Sequence, residues 1–208
     1  MKENYQLQLE QTIHQECNEG KRPRLLLHAC CAPCSSYVLE YLSDLFDITL
    51  FFYNPNIFPR EEYDFREKEL CRLVKEMGLS HRITVLRGHY DPEEFFAMAR
   101  GMEDLPEGGN RCHKCYRLRL RESAKKAAEG GFDFFTTTLS ISPYKNAQWL
   151  NEIGAEEGEA AGVRYLHSDF KKKNGYKRSS ELSAQYGLYR QDYCGCIYSK
   201  QARENKIT

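Results

Sequence analysis

Seven of the nine cysteines in this 208-residue chain fall into three tight groups: Cys30-Cys31-Ala32-Pro33-Cys34, Cys112-His113-Lys114-Cys115 and Cys194-Gly195-Cys196. Together they offer more sulfur than one tetrahedral zinc takes, so an iron-sulfur cluster with a further metal beside it is the leading reading. Two plainer readings stand next to it. A strand that leads into Cys31-Ala32-Pro33-Cys34 at a helix start also describes a thiol-disulfide oxidoreductase, because the helix dipole favours the nucleophilic thiolate. Cys31, Cys34, Cys112 and Cys115 would also close a structural zinc site in an RNA-binding module, which leaves Cys30, Cys194 and Cys196 without a purpose. Cys17 and Cys71 stand alone in charged, helical surroundings and read as packing residues.

The elements that must position these groups follow from the hydrophobic pattern. Leu25-Leu26-Leu27 reads as a strand ending at His28 and the first cysteine group, with a helix after it carrying Tyr37, Val38, Leu39, Tyr41 and Leu42. Ile48 to Tyr53 reads as a second strand, followed by an Asn54-Pro55-Asn56 turn and a charged helix from Glu61 to Met77, closed by Gly78. Ile83 to Leu86 reads as a third strand, Phe132 to Leu139 as a fourth and Val163 to Leu166 as a fifth; the second cysteine group opens a helix that runs to Gly130. The fold expected is α/β, a single domain with a mostly parallel sheet flanked by helices, comprising residues 24–208 after an N-terminal arm, 1–23. In such a sheet ligands collect where strands end, which brings Cys30 to Cys34, Ser140 to Lys145 and Ser168 to Lys171 to one edge.

Thirty Lys and Arg against thirty Asp and Glu leave no net charge, which excludes a chain that coats nucleic acid by global attraction. Local patches remain: Arg111 to Lys126 is strongly basic, and Lys171, Lys172, Lys173, Lys177 and Arg178 form a second stretch. Either alone is explained by a solvated face, but two beside site loops suit a phosphate backbone. Tyr176, Tyr186, Tyr189 and Tyr193 either stack on an unpaired base or pack on the core. His28 at a strand end reads as a hydrogen-bonded core residue rather than a ligand, and Asp169 as either a helix cap or a ligand to a hard metal or substrate hydroxyl. The absence of an apolar signal-peptide core and of any bilayer-spanning run predicts a cytoplasmic protein, where clustered cysteines stay reduced.

Six segments in order carry a resemblance: His28-Ala29-Cys30-Cys31-Ala32-Pro33-Cys34-Ser35, Tyr53-Asn54-Pro55-Asn56-Ile57, Arg111-Cys112-His113-Lys114-Cys115, Thr136 to Lys145, Asp169-Phe170-Lys171-Lys172 and Tyr189 to Cys196. They closely resemble the QueH-type epoxyqueuosine reductases from about Arg24 to Ser199. The resemblance implies a HUP-like (Rossmann-like) fold and a cobalamin-independent enzyme that reduces epoxyqueuosine at the wobble position of tRNA to queuosine. It implies a [4Fe-4S] cluster, an adjacent iron ion bound by cysteine and carboxylate, and an external electron donor. The ATP-using members of that fold class place a glycine-rich phosphate loop after the first strand, where this chain has Cys30 to Ser35, so ATP use is not expected.

Beside the resemblance, the two Cys-x-x-Cys pairs suggest a division in which Cys31, Cys34, Cys112 and Cys115 hold the cluster. Cys30, Cys194, Cys196 and Asp169 then remain for the adjacent iron. Lys145 and Tyr144 are expected as proton donors or substrate contacts, and Arg117, Arg119, Lys172 and Lys173 as the RNA-binding residues.

Overall fold

The computed structural model describes residues 3–17 and 20–205; positions 1–2, 18–19 and 206–208, which fall in the expected arm and at the end of the expected domain, lie outside the described residues. The described strands are β1 (Arg24–His28), β2 (Asp47–Phe52), β3 (Thr84–Arg87), β4 (Phe134–Thr137) and β5 (Arg164–Tyr165). They form one sheet in the order β3-β2-β1-β4-β5, with every neighbouring pair parallel. This is the Rossmann-like arrangement expected from the alternation of strands and helices.

The central strand shows why both faces are covered. Leu25, Leu26 and Leu27 are all fully buried, as a parallel sheet with helices on both sides requires. Successive side chains point to opposite faces. Leu25 and Leu27 join the cluster holding Val38 and Leu39 of α2 (Ala32–Leu42) and Leu70 and Leu73 of α3 (Arg60–Glu76). Leu26 joins the other, with Tyr116 and Leu120 of α5 (Asn110–Glu129) and Leu150 and Ile153 of α6 (Ala147–Ala161).

Local chemistry sets the helix starts. Cys31 is the extended N-cap of α2, with proline in the first turn, where its fixed φ and missing N–H cost nothing. Asp91 caps α4 (Pro92–Ala99) and Asn146 caps α6, each accepting a backbone N–H. The chain closes with α7 (Gly175–Gln185) and α8 (Ile197–Glu204).

Three features depart from the sequence reading. The expected fourth strand, Phe132 to Leu139, pairs only over Phe134–Thr137; the Thr137 hydroxyl then accepts from the Leu139 N–H at 3.2 Å and turns Thr138–Ile141 into a 3₁₀ helix. The fifth strand is a two-residue edge. The expected arm contains a helix, α1 (Tyr5–Glu16), that buries Leu9 completely in the larger core.

Candidate metal centre and the cavity beside it

The strand order reverses between β1 and β4, and the loops that follow these two strands diverge there to make a crevice. The Cys30 backbone N–H donates to the Thr138 hydroxyl at 3.4 Å, tying the loop after β1 to that after β4. Beneath it, His28 is fully buried, with Nδ1 2.8 Å from the Thr137 hydroxyl and Nε2 3.0 Å from the Tyr53 carbonyl. A carbonyl only accepts, so Nε2 carries the proton and Nδ1 accepts. Burial and the nearby Arg119 hold its pKa down to about 3. Both ring nitrogens are occupied, and His28 is a neutral strut rather than a ligand.

The Sγ atoms of Cys30, Cys31 and Cys34 all lie within 4.8 Å of one another. Cys30 and Cys31 are 3.7 Å apart at sulfur. Four thiolates about 2.3 Å from one tetrahedral metal are about 3.8 Å from each other, so this spacing suits a single ion with one coordination position left over. The three thiols do not ionise alike. Hydrogen bonds from Cys30 and Cys34 lower the Cys31 pKa well below its usual value. Cys30 is pushed up to about 12, chiefly by donating to Cys31, and Cys34 is raised well above its usual range, chiefly by Cys30.

The other four cysteines meet elsewhere. Cys112, Cys115, Cys194 and Cys196 line one small enclosed pocket together with Arg111, Arg119 and Tyr116. Cys112 and Cys115 come from the first turns of α5, and Cys196 is the N-cap of α8, its Sγ accepting from the Ser199 N–H at 3.4 Å. The Cys194 carbonyl accepts from Arg66 Nη1 at 3.3 Å and the Gly195 carbonyl from the Phe58 N–H at 3.0 Å. Gly195 has φ +111°, and a Cβ there would stand 3.0 Å from both Arg66 and Ile57, so the close approach of this segment to α3 requires glycine. In the structure the sulfurs of the first group lie together, and the second group lines one pocket with the third.

A larger cavity, about 650 Å³, opens over both sets and is lined by Cys30, Cys34, Arg66, Arg119, Tyr144, Lys145, Tyr176, Tyr193 and Cys194 among others. Lys145 reaches into it, its Nζ 3.2 Å from Cys194 Sγ and 2.9 Å from Glu107 Oε1. Burial opposes its charge, but attraction to Cys194, Tyr116 and Glu107 outweighs this and raises its pKa. In return Lys145, followed by Arg119, lowers the Cys194 pKa against the effect of burial. Tyr144 is 77 % exposed at the rim. Asp169, expected beside the second metal, lines neither cavity; its carboxylate accepts from Lys171 at 2.5 Å. The carboxylates that do line the large cavity are Glu107 and Asp192, and Asp192 pairs with Arg203 at 2.5 Å.

Of the expected RNA contacts, Arg119 is 1 % exposed and sits among the sulfurs. Arg117 is paired with Glu156 at 2.6 Å and Glu157 at 2.8 Å, and Lys173 with Glu10. Lys172 is exposed. Arg66, which the sequence reading passed over, is fully buried, with Nε 2.7 Å from Glu62 and its guanidinium over the Tyr193 ring. Its signal was present: Tyr63, Arg66, Leu70 and Leu73 share the buried face of α3, and an arginine on an apolar stripe points inward.

The family model described as "Epoxyqueuosine reductase QueH" matches residues 25–202. A protein of that name from Streptococcus pyogenes serotype M1 is 45 % identical over 198 residues, covering 94 % of this chain and 78 % of the relative. The Staphylococcus epidermidis protein is 43 % identical, covering 94 % and 84 %, and the Thermotoga maritima protein 35 %, covering 88 % and 93 %. The match spans all three cysteine groups and every strand that carries them, and the chain belongs to the epoxyqueuosine reductase QueH family.

Proposed function

We propose that this protein reduces epoxyqueuosine in tRNA to queuosine, with a [4Fe-4S] cluster held by Cys112, Cys115, Cys194 and Cys196 and a single iron held by Cys30, Cys31 and Cys34. The observation that carries this reading is the meeting of two separate thiol sets at one open cavity. Four cysteines around an enclosed pocket match the ligand count of a cluster. Three close thiols, of which Cys30 and Cys34 line the cavity, leave room for an exogenous ligand on a single ion, and Glu107 and Asp192 are the carboxylates that line the same cavity. Zinc shared by Cys31, Cys34, Cys112 and Cys115 would draw on both sets at once, and dithiol exchange at Cys31 and Cys34 would leave five clustered thiols idle.

The reaction consumes two electrons and two protons: both bonds to the epoxide oxygen break, the ring gains a double bond, and the oxygen leaves as water. When bound, the cluster supplies single electrons from an external donor and the iron a Lewis acid for the epoxide oxygen. The chain's own residues do the rest. A cavity of about 650 Å³ suits one flipped nucleoside. Tyr144 at the rim and Tyr193 on the wall present rings on which a base stacks. Lys145 Nζ, facing the cavity from beside Cys194, directs a positive charge toward the oxygen as its bonds open. The reducing cytoplasm, where tRNA is found, also keeps these thiols available.

The test is nucleoside mass analysis. Epoxyqueuosine in tRNA incubated with the iron-loaded, reduced protein loses one oxygen; unchanged nucleoside with fully loaded, reduced protein overturns the reading.

For the RNA itself, the exposed cations at the cavity are Arg190 and Arg203, with Lys172 on the loop before α7. Arg117 and Lys173 contact phosphate only by exchanging their glutamates, which leaves little net gain. Arg190→Glu with Lys172→Glu is expected to weaken tRNA binding and reduce the slope of log K against log salt by about one for each phosphate that is no longer neutralised. Filter binding at several salt concentrations checks this. An unchanged slope would place the RNA elsewhere.

A further inference from the structure

Arg119 carries a charge that no protein environment removes, yet it is 1 % exposed and stands in the wall shared by both cavities. Its Nε donates to the Cys115 carbonyl at 3.3 Å, and its Nη2 is buried with no hydrogen-bond partner. Of the other buried arginines beside the sulfurs, Arg66 has Glu62 as counter-ion, and Arg111 donates to the Met102, Glu103 and Leu105 carbonyls. No carboxylate pairs with Arg119 among the described residues; the groups around it are the sulfurs of Cys115, Cys194 and Cys30. Helix α5 imposes this placement, since Arg119 follows Cys115 by one turn and Cys112 by two on the same face.

A buried cation is costly without a negative partner or acceptors for its donors, and for packing alone an apolar side chain of similar size serves as well or better. Arg119 also draws on both thiol sets, Cys30 from one and Cys115 and Cys194 from the other. We propose that Arg119 is a positioning residue that acts through the metal centre: a fixed counter-charge that raises the reduction potential of the cluster and lowers the cost of holding an extra electron beside the second site. This rests on the reading that the four-cysteine pocket holds a cluster. Each electron that arrives adds one negative charge, and a cation in a poorly screened interior stabilises the reduced form more than the oxidised form. Removing that cation makes the electron harder to add.

The experiment uses the full chain, wild type, Arg119→Gln and Arg119→Lys, reconstituted anaerobically with iron and sulfide and titrated with reductant under electron paramagnetic resonance. At the wild-type midpoint, Arg119→Gln is expected to lower the ratio of reduced to oxidised cluster about tenfold, equivalent to about 59 mV for one electron. Arg119→Lys, which keeps the charge, should stay within about threefold. Should Gln lose the cluster while Lys keeps it, the iron and sulfide contents alone support the charge requirement. A midpoint unchanged in Gln, equal shifts in Gln and Lys, or loss of the cluster from both overturns the proposal, the last two in favour of shape. A wild-type protein that takes up no cluster overturns the underlying reading, and that failure shows in the wild-type spectrum before any variant is compared.

Discussion

Protein prepared without oxygen and reconstituted with iron and sulfide is expected to be brown and to contain more iron than acid-labile sulfide. A [4Fe-4S] cluster carries the two in equal amounts, so the excess reports the ion at the three close thiols. The two sets then separate by substitution. Alanine at Cys112, Cys115, Cys194 or Cys196, which line the enclosed pocket, should remove sulfide, colour and turnover together. Alanine at Cys30, Cys31 or Cys34, whose sulfurs lie within 4.8 Å of one another, should remove turnover and the excess iron but leave the brown colour. Cys71 is exposed and Cys17 only packs against the larger core, so alanine at either should leave turnover near wild type. A colourless product that binds only zinc under these conditions would sink the whole assignment, and loss of colour in the Cys31 variant would restore a shared set.

Lys145 gives the second large effect. Its side chain is 8 % exposed, and its Nζ sits between Cys194 and Glu107 at the cavity wall. Because its pKa is raised, it holds its proton until the pH climbs past that raised value, so it stays cationic across the neutral range. A group that holds its proton so firmly is a poor general acid and a good fixed charge. Removing one such donor typically costs about 10²–10³ in rate, and Lys145→Met should show a loss of that order in single-turnover kinetics with iron and sulfide contents unchanged. Lys145→Arg should recover most of it, and the wild-type rate should show no limb near neutrality that disappears in Lys145→Arg. Turnover by Lys145→Met within a few-fold of wild type would remove the residue from the reaction.

The parallel sheet was legible because β1 and β2 are short apolar runs and the helix from Arg60 ends at a positive-φ glycine, Gly78. Helix α5 was legible from its start at the second cysteine group to Gly130. The division of the cysteines was not legible, because Cys-x-x-Cys spacing describes neighbours along the chain and not which loops meet. Cys112 and Cys115 join Cys194 and Cys196 because α5 and α8 both begin at the enclosed pocket. Charge counted along the chain groups Arg119 with Arg117; helical period puts Arg119 with Cys115, Leu120 and Ala124 on the buried face, and Arg117 on the face that meets Glu156 and Glu157. Helix α1 went unread because its inward face is anchored by few residues, Tyr5, Gln6 and Leu9.

The five strands among the described residues end by Tyr165, well before Cys194 in the sequence. The three-thiol set is thus complete in the sequence long before the four-thiol set has its second half. On the proposed reading, a cluster would gain its last two ligands only when the C-terminal segment is docked, with the Cys194 carbonyl on Arg66 of α3 and Cys194 and Cys196 beside the cysteines of α5.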